Sequence, residues 1–148
     1  MTVPFKICVD CADPHMLAKF WAEAMGYVVE DDSALIEQLL EQGHIGEDLL
    51  VEIGGRKAWK AAARIRDPAG QPQDGVGKGA VVLFQTVPEA KTAKNRVHLD
   101  LHYGADRIEA EAKRLEGLGA KRLSTHEGGR SQWIVMADPE GNEFCVHS

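Results

Sequence analysis

The feature that most constrains this chain is a helix pattern that occurs twice. Asp13 begins an amphipathic helical pattern that Gly26 closes 13 positions later, and Asp106 and Gly119 enclose a second pattern of the same length. Aspartate is a favoured N-cap residue, and glycine suits the left-handed position that ends a helix. In the first pattern Pro14 lies where its missing N–H is tolerated. Two matched patterns in one chain predict two similar structural modules.

A turn motif repeats together with the helices. The tetrapeptide Asp-Pro-x-Gly occurs at residues 67–70 and again at residues 138–141, each time after a short apolar run. Proline fixes φ and glycine allows positive φ, so the motif favours a tight turn. Strand-like runs also come before and after each helix and after each turn motif. These runs are Phe5–Cys11, Tyr27–Glu30 and Val81–Val87 in the first half, and Arg96–Tyr103, Lys121–Ser124 and Glu143–His147 in the second.

The order strand–helix–strand–strand–strand therefore appears twice, and 148 residues are the usual size of one domain. We predict a single α+β domain of two modules, the first over residues 1–90 and the second over residues 95–148. The first half is longer by about 22 residues, which we place in an insertion at about residues 33–60. Two short helices and a glycine-rich loop are expected in this longer half: Ala34–Gln42, Arg56–Arg64 and Gly70–Gly79.

The composition excludes several classes of protein. Hydrophobic residues make up 44% of the chain and charged residues 27%, as in ordinary globular domains and unlike disordered chains. The net charge is −6, from 23 acidic and 17 basic residues, so the basic patch expected of a nucleic-acid or membrane-surface binder is missing. The chain has three cysteines and no visible signal peptide, which predicts a reducing, cytoplasmic location.

Strand periodicity places ionisable side chains on one face of three strands. His98, Asp100 and His102 alternate with apolar residues, and the strands before the first helix and at the end of the chain follow the same pattern. In those two strands the polar positions are Lys6, Cys8 and Asp10, and Glu143, Cys145 and His147. These faces either meet water, as in many antiparallel sheets, or line a cup in a curled sheet. A cup with imidazole, carboxylate and thiol groups would be a ligand or metal site.

Three segments resemble a known superfamily. Residues 11–26, 94–101 and 137–146 are similar to the vicinal-oxygen-chelate superfamily, which includes glyoxalase I, bleomycin-resistance proteins and dioxygenases. The similarity is to its bacterial glyoxalase-like branch and extends over nearly the whole chain. The resemblance implies two strand–helix–three-strand modules that form a curled mixed sheet around a cup, with the helices outside. It also implies a small-molecule ligand.

The resemblance implies four metal-ligand positions, of which this chain keeps one usual residue. His98 matches a histidine of the superfamily, whereas Lys6 replaces a histidine and Cys145 replaces a glutamate. The fourth position falls at Gln85, a weak oxygen ligand. A protonated lysine has no lone pair to offer a metal ion. Zinc, iron, manganese or nickel therefore remains an alternative to an empty site, with His98, Cys145 and Gln85 as ligands and His102, Asp100 or Glu143 available to complete the set.

Three functions follow from these residues. The first is a small-molecule binding protein with a degraded metal site, in which Lys6, Gln85, Asp100, Trp133 and Glu143 contact the ligand and Trp133 stacks on it. The second is a metal-dependent lyase, isomerase or dioxygenase around His98. The third is metal-free acid–base catalysis by His98 or His102. The resemblance to drug-sequestering members also implies a homodimer, because those members commonly build each cup across two chains.

Overall fold

The computed structural model describes residues 3, 5–69 and 81–148. The described residues form two compact units, one before and one after the boundary between Pro88 and Glu89. The loop predicted at residues 70–79 lies outside the described residues. None of the helices within the described ranges has the length and apolar character of a membrane span.

The first unit contains a four-stranded mixed sheet, one long helix and an inserted segment. Its strands and helices are β1 (Ile7–Cys11), α1 (Pro14–Met25), β2 (Val28–Val29), α2 (Ser33–Glu41), β3 (Leu50–Ile53), β4 (Arg56–Trp59), β5 (Ala62–Arg66) and β6 (Val81–Thr86). The strand order is β1-β6-β5-β2, with β1 and β6 parallel and the other pairs antiparallel. Helix α1 packs against β5 and β6.

Helix α1 forms where the sequence predicts it. The Oδ1 atom of Asp13 accepts a hydrogen bond from the backbone N–H of Met16 at 3.0 Å, which caps the first turn. Gly26 ends the helix with a φ of 69°, in the left-handed region. Leu17 and Phe20 lie on the buried face of the helix, which holds the helix against the sheet.

The inserted segment contains a helix and a hairpin. Helix α2 matches the helix predicted at Ala34–Gln42. The prediction of a helix over Arg56–Arg64 is wrong, because β4 and the start of β5 cover most of these residues. Strand β4 instead pairs antiparallel with β3, and Gly54 and Gly55 between them have φ values of 57° and 78°. Two consecutive residues with positive φ are the requirement of a tight hairpin turn, so the glycine pair determines the strand pairing here.

The second unit repeats the topology of the first without the insertion. Its elements are β7 (Asp100–His102), α3 (Ile108–Gly117), β8 (Lys121–Gly128), β9 (Ser131–Ala137) and β10 (Glu143–His147). The strand order is β7-β10-β9-β8. Strands β7 and β10 are parallel, and the other two neighbouring pairs are antiparallel, as in the first unit. The predicted α+β class, with a strand–helix–three-strand pattern that occurs twice in open mixed sheets, is confirmed.

One face of the second sheet packs on α3 and forms the core of this unit. The strands contribute Ile134, Met136, Phe144 and Val146 to it, and the helix contributes Ile108, Ala112 and Leu115. Successive side chains on a strand point to opposite faces, so the residues between these apolar positions lie on the other face. The strand predicted at Arg96–Tyr103 is shorter than expected, because β7 covers only Asp100–His102 and Val97 is 85% exposed.

Candidate functional site

The polar face of the second sheet brings together side chains from neighbouring strands. Cys145 on β10 lies opposite Asp100 on β7 and Val135 on β9. Two residues further along β10, on the same face, His147 lies opposite His102 and Trp133. The register of β10 therefore places a thiol and an imidazole at the middle of this face.

A pocket of about 270 Å³ lies on this face. Five of the predicted site residues line it, namely His98, Asp100, Trp133, Glu143 and Cys145. Lys94 and His147 also line it and were not predicted, although His147 continues the alternation of Glu143 and Cys145. Phe144 and Val135 add apolar surface. The pocket therefore combines a basic, an acidic, a thiol and an aromatic group.

Asp100 lies between two imidazoles. The Nδ1 atom of His98 is 2.8 Å from Oδ1 of Asp100, and Nε2 of His147 is 3.5 Å from Oδ2 of the same carboxylate. An ionised carboxylate only accepts hydrogen bonds, so Nδ1 of His98 carries the proton and donates it. The lone pair of His98 is then on Nε2, where it can accept a proton or bind a metal ion.

The thiol of Cys145 is buried on the same face. Burial raises the pKa of this thiol, and the negative charge of Asp100 raises the pKa further. The protonated thiol is therefore favoured near neutral pH, and a metal ion would have to displace its proton.

The donor set of this face fits a transition metal. One ligand atom each from His98, Asp100 and Cys145 lies within 4.8 Å of the other two. Thiolate and imidazole suit zinc or iron, whereas manganese prefers oxygen ligands, so this set favours zinc or iron. When bound, such an ion would act as a Lewis acid on a ligand oxygen. These three residues would hold it, and each lies in the second unit.

Glu143 lines the pocket, but its carboxylate is engaged by the segment that precedes β7. The backbone N–H of Asn95 donates to Oε2 at 2.9 Å, and Nζ of Lys91 is 3.0 Å from the same atom. These hydrogen bonds hold the pKa of Glu143 at about 2. Glu143 is therefore ionised at neutral pH and positions this segment, and its Oε2 atom is occupied.

Three predicted residues are not among those that line this pocket. Lys6 is exposed just before β1, and Gln85 on β6 donates from Nε2 to Oδ1 of Asp10 at 2.9 Å. Both belong to the first unit, and their role in a site stays a prediction. His102 is exposed, and its ring stacks on that of His147 with the ring centres 4.9 Å apart.

Comparisons with solved structures find the same fold. A glyoxalase/bleomycin resistance protein/dioxygenase family enzyme from Burkholderia phytofirmans PsJN matches with a TM-score of 0.61 at 10% identity, over 96% of this chain and 94% of that one. A mutant of the fosfomycin resistance protein FosX from Listeria monocytogenes, complexed with Mn(II) and a dihydroxypropylphosphonic acid, matches with a TM-score of 0.60 at 9% identity, over 99% of this chain and 90% of that one. A possible glyoxalase from Bacillus cereus matches with a TM-score of 0.60 at 13% identity, over 100% of both chains.

At these identities the likeness concerns the fold. No curated protein matches the sequence. The glyoxalase-like domain family matches residues 6–147, which confirms the resemblance found in the three sequence segments. The match covers nearly the whole of the chain, and the protein therefore belongs to the glyoxalase-like domain family.

Proposed function

We propose that this protein binds a small molecule in the pocket on the polar face of the second sheet. The observation that carries the proposal is the convergence of five predicted site residues on one pocket of about 270 Å³. This volume is close to the lower limit of ordinary ligand pockets, about 300 Å³, so the pocket suits a compact ligand.

The chemistry of the pocket supports binding of a ligand with both polar and apolar parts. Phe144 and Val135 offer apolar contact, while Asp100, His98 and Lys94 offer acceptors and donors. Ligand sites usually combine an apolar wall with a few convergent polar groups. In this proposal the polar groups orient the ligand, and the apolar surface is removed from water when the ligand binds.

Loss of the superfamily's metal set favours binding over catalysis. Of the four positions that the resemblance implies, only His98 keeps the usual residue, while Lys6, Gln85 and Cys145 depart from it. The proposed ligand is therefore held by protein groups, without the ion that the superfamily uses. By the same resemblance we propose a homodimer, and the three free cysteines support a cytoplasmic location. The native mass tests the dimer.

A second candidate function is a metal-dependent lyase, isomerase or dioxygenase. The grouping of donor atoms from His98, Asp100 and Cys145 within 4.8 Å favours it. In this alternative the three side chains hold the ion, and the rest of the pocket orients the substrate. Replacement of His98 by alanine separates the two candidates, because a binding protein would keep most of its affinity and an enzyme would lose nearly all turnover.

The test of the binding proposal is thermal denaturation with a panel of phenols, quinones, dicarboxylates and phosphonates, after treatment with a chelator. A ligand present at 100 times its dissociation constant stabilises the folded state by about 2.7 kcal/mol. For a chain of this size that free energy raises the Tm by roughly 5–10 °C. We expect at least one compound to produce such a shift.

Two variants locate the binding. Val135→Phe adds a ring inside the pocket and is expected to abolish the shift, because Val135 lines the pocket wall. Thr125→Phe adds the same ring at an exposed position on the neighbouring strand β8 and is expected to leave the shift unchanged. Shifts that are equal in both variants, or the lack of any shift across the panel, would contradict the proposal.

A further inference from the structure

Four rings, one from each strand, form a row across the polar face of the second sheet. The row runs from His102 on β7 through His147 on β10 and Trp133 on β9 to His126 on β8. Neighbouring ring centres are 4.9, 5.9 and 5.4 Å apart, and neighbouring planes are inclined by 29°, 12° and 16°. Each ring therefore stacks on the next. We call these four residues the ring row.

Strand register and one glycine make the ring row possible. His147 is the partner of both His102 and Trp133, and Trp133 is also the partner of His126, so all four residues share one line across the strands. Gly128 lies beside the indole, and a Cβ atom there would be 3.2 and 3.3 Å from two of its ring carbons. Glycine at position 128 thus leaves the space that the indole of Trp133 occupies.

The ring row presents its rims rather than its faces. The faces of the two central rings are covered by their neighbours in the stack. Two ring nitrogens are also directed to partners on the same sheet: Nε2 of His126 lies 2.7 Å from Oγ of Ser124, and Nε2 of His147 lies 3.5 Å from Oδ2 of Asp100. The rim of an aromatic ring is electropositive and its face electronegative, so a row of rims complements the face of another ring.

We propose that the ring row selects a planar aromatic ligand, whose face lies across the ring rims. The inference rests on the proposed function, because Trp133 and His147, the two central rings, line the proposed pocket. The outer rings of a linear three-ring aromatic system are about as far apart as two neighbouring rings of the row, so such a system contacts two or three rims together. Planarity is then the selected property, since a globular ligand of equal volume contacts one or two rims.

The probes are anthraquinone sulfonate, which is planar, and camphor sulfonate, which carries the same charge on a globular frame. Isothermal titration of the full chain with each compound measures the selection. We expect the planar probe to bind at least tenfold more tightly, since each edge-to-face contact contributes about two- to tenfold in affinity.

Two variants test whether the ring row is responsible. His126→Leu removes an outer ring and is expected to weaken binding of the planar probe about three- to tenfold. Gly128→Ala shifts the indole by only a few tenths of an ångström without removing a ring and is expected to weaken the same probe less, about two- to threefold. Both variants are expected to leave binding of the globular probe unchanged. The matched controls are Gly117→Ala, where a Cβ atom meets nothing within 4 Å, and Thr125→Ala, which alters the opposite side of β8. Circular dichroism confirms that each variant is folded.

The outcomes separate this inference from the binding proposal. Equal affinity for the two probes would overturn the ring row as the selective element. So would a preference for the planar probe that persists in both ring-row variants. Neither result would contradict the binding proposal, because the pocket could still bind other compounds. Failure of the planar probe to bind at all would also overturn it. Failure of every compound in the thermal panel as well would overturn the binding proposal itself.

Discussion

Replacement of Glu143 by glutamine tests which interactions hold the segment before β7 in place. The Glu143 side chain is 18% exposed and accepts a hydrogen bond from the backbone of Asn95, with the Lys91 ammonium 3.0 Å away. Glutamine keeps the size of the side chain and removes its charge. The segment from Lys91 to Asn95 then loses a charge-assisted bond to the last strand, and Glu143→Gln is expected to unfold more readily at neutral pH.

The magnitude follows from the pKa of Glu143. A fall from 4.5 to about 2 corresponds to ~3 kcal/mol, because each pKa unit is about 1.4 kcal/mol. Water reaches part of this side chain and screens the charges, so we expect a loss of about 1–2 kcal/mol. The folded-state pKa is depressed, so the contribution is fully present above pH 4.5 and is lost as the pH falls towards about 2.

The assay is urea denaturation of the parent protein and of Glu143→Gln at pH 7 and at pH 2.5. Glu127→Gln, an exposed carboxylate on β8, is the matched control. We expect a difference in the free energy of unfolding of about 1–2 kcal/mol at pH 7 that largely vanishes at pH 2.5, with little change in the control. A difference of equal size at both pH values would refute the reasoning, because it would show that the charge is not responsible.

Three further predictions concern the helix ends and the buried thiol. Asp13→Ala removes the cap of α1 and is expected to cost about 1 kcal/mol, measured as a lower urea midpoint. Gly26→Ala forces a side chain into a φ of 69° and is expected to cost about 1 kcal/mol, whereas Gly117→Ala inside α3 should be neutral or stabilising; equal effects would argue against backbone strain as the cause. Burial and Asp100 raise the pKa of the Cys145 thiol, so the alkylation rate of Cys145, followed by peptide mass spectrometry, is expected to rise at a higher pH than the alkylation rate of free cysteine does. A rate at neutral pH equal to that of the free amino acid would contradict the raised pKa.

Local signals in the sequence were enough to predict the repeated topology. Asp13 and Gly26 mark the ends of α1 because capping depends on a few adjacent residues. The hairpin of β3 and β4 was not predicted, because the sequence over residues 56–64 also fits a short helix, whereas strand pairing across the turn at Gly54 and Gly55 forms in the structure. Propensity is a weak guide where strand pairing stabilises the alternative structure.

The candidate site could be predicted in part, because strand alternation gives the face of a side chain but not its partners. His98, Asp100 and Cys145 were placed on one face by alternation, and they lie together. The binding of Glu143 by Asn95 joins residues 48 positions apart, and the ring row depends on the register of four strands. Such pairings arise from the tertiary structure, so one sequence read along the chain does not contain a local signal for them.

The most direct test of the binding proposal is chemical-shift mapping by NMR. The chelator-treated, ¹⁵N-labelled protein is titrated with the compound that raises its Tm most. The proposal predicts that the largest amide shifts cluster at His98, Asp100, Trp133, Cys145 and His147, with little change in α3, which packs on the other face of the same sheet. Shifts centred on α3 or spread evenly over the chain would contradict a binding site on the polar face of the second sheet.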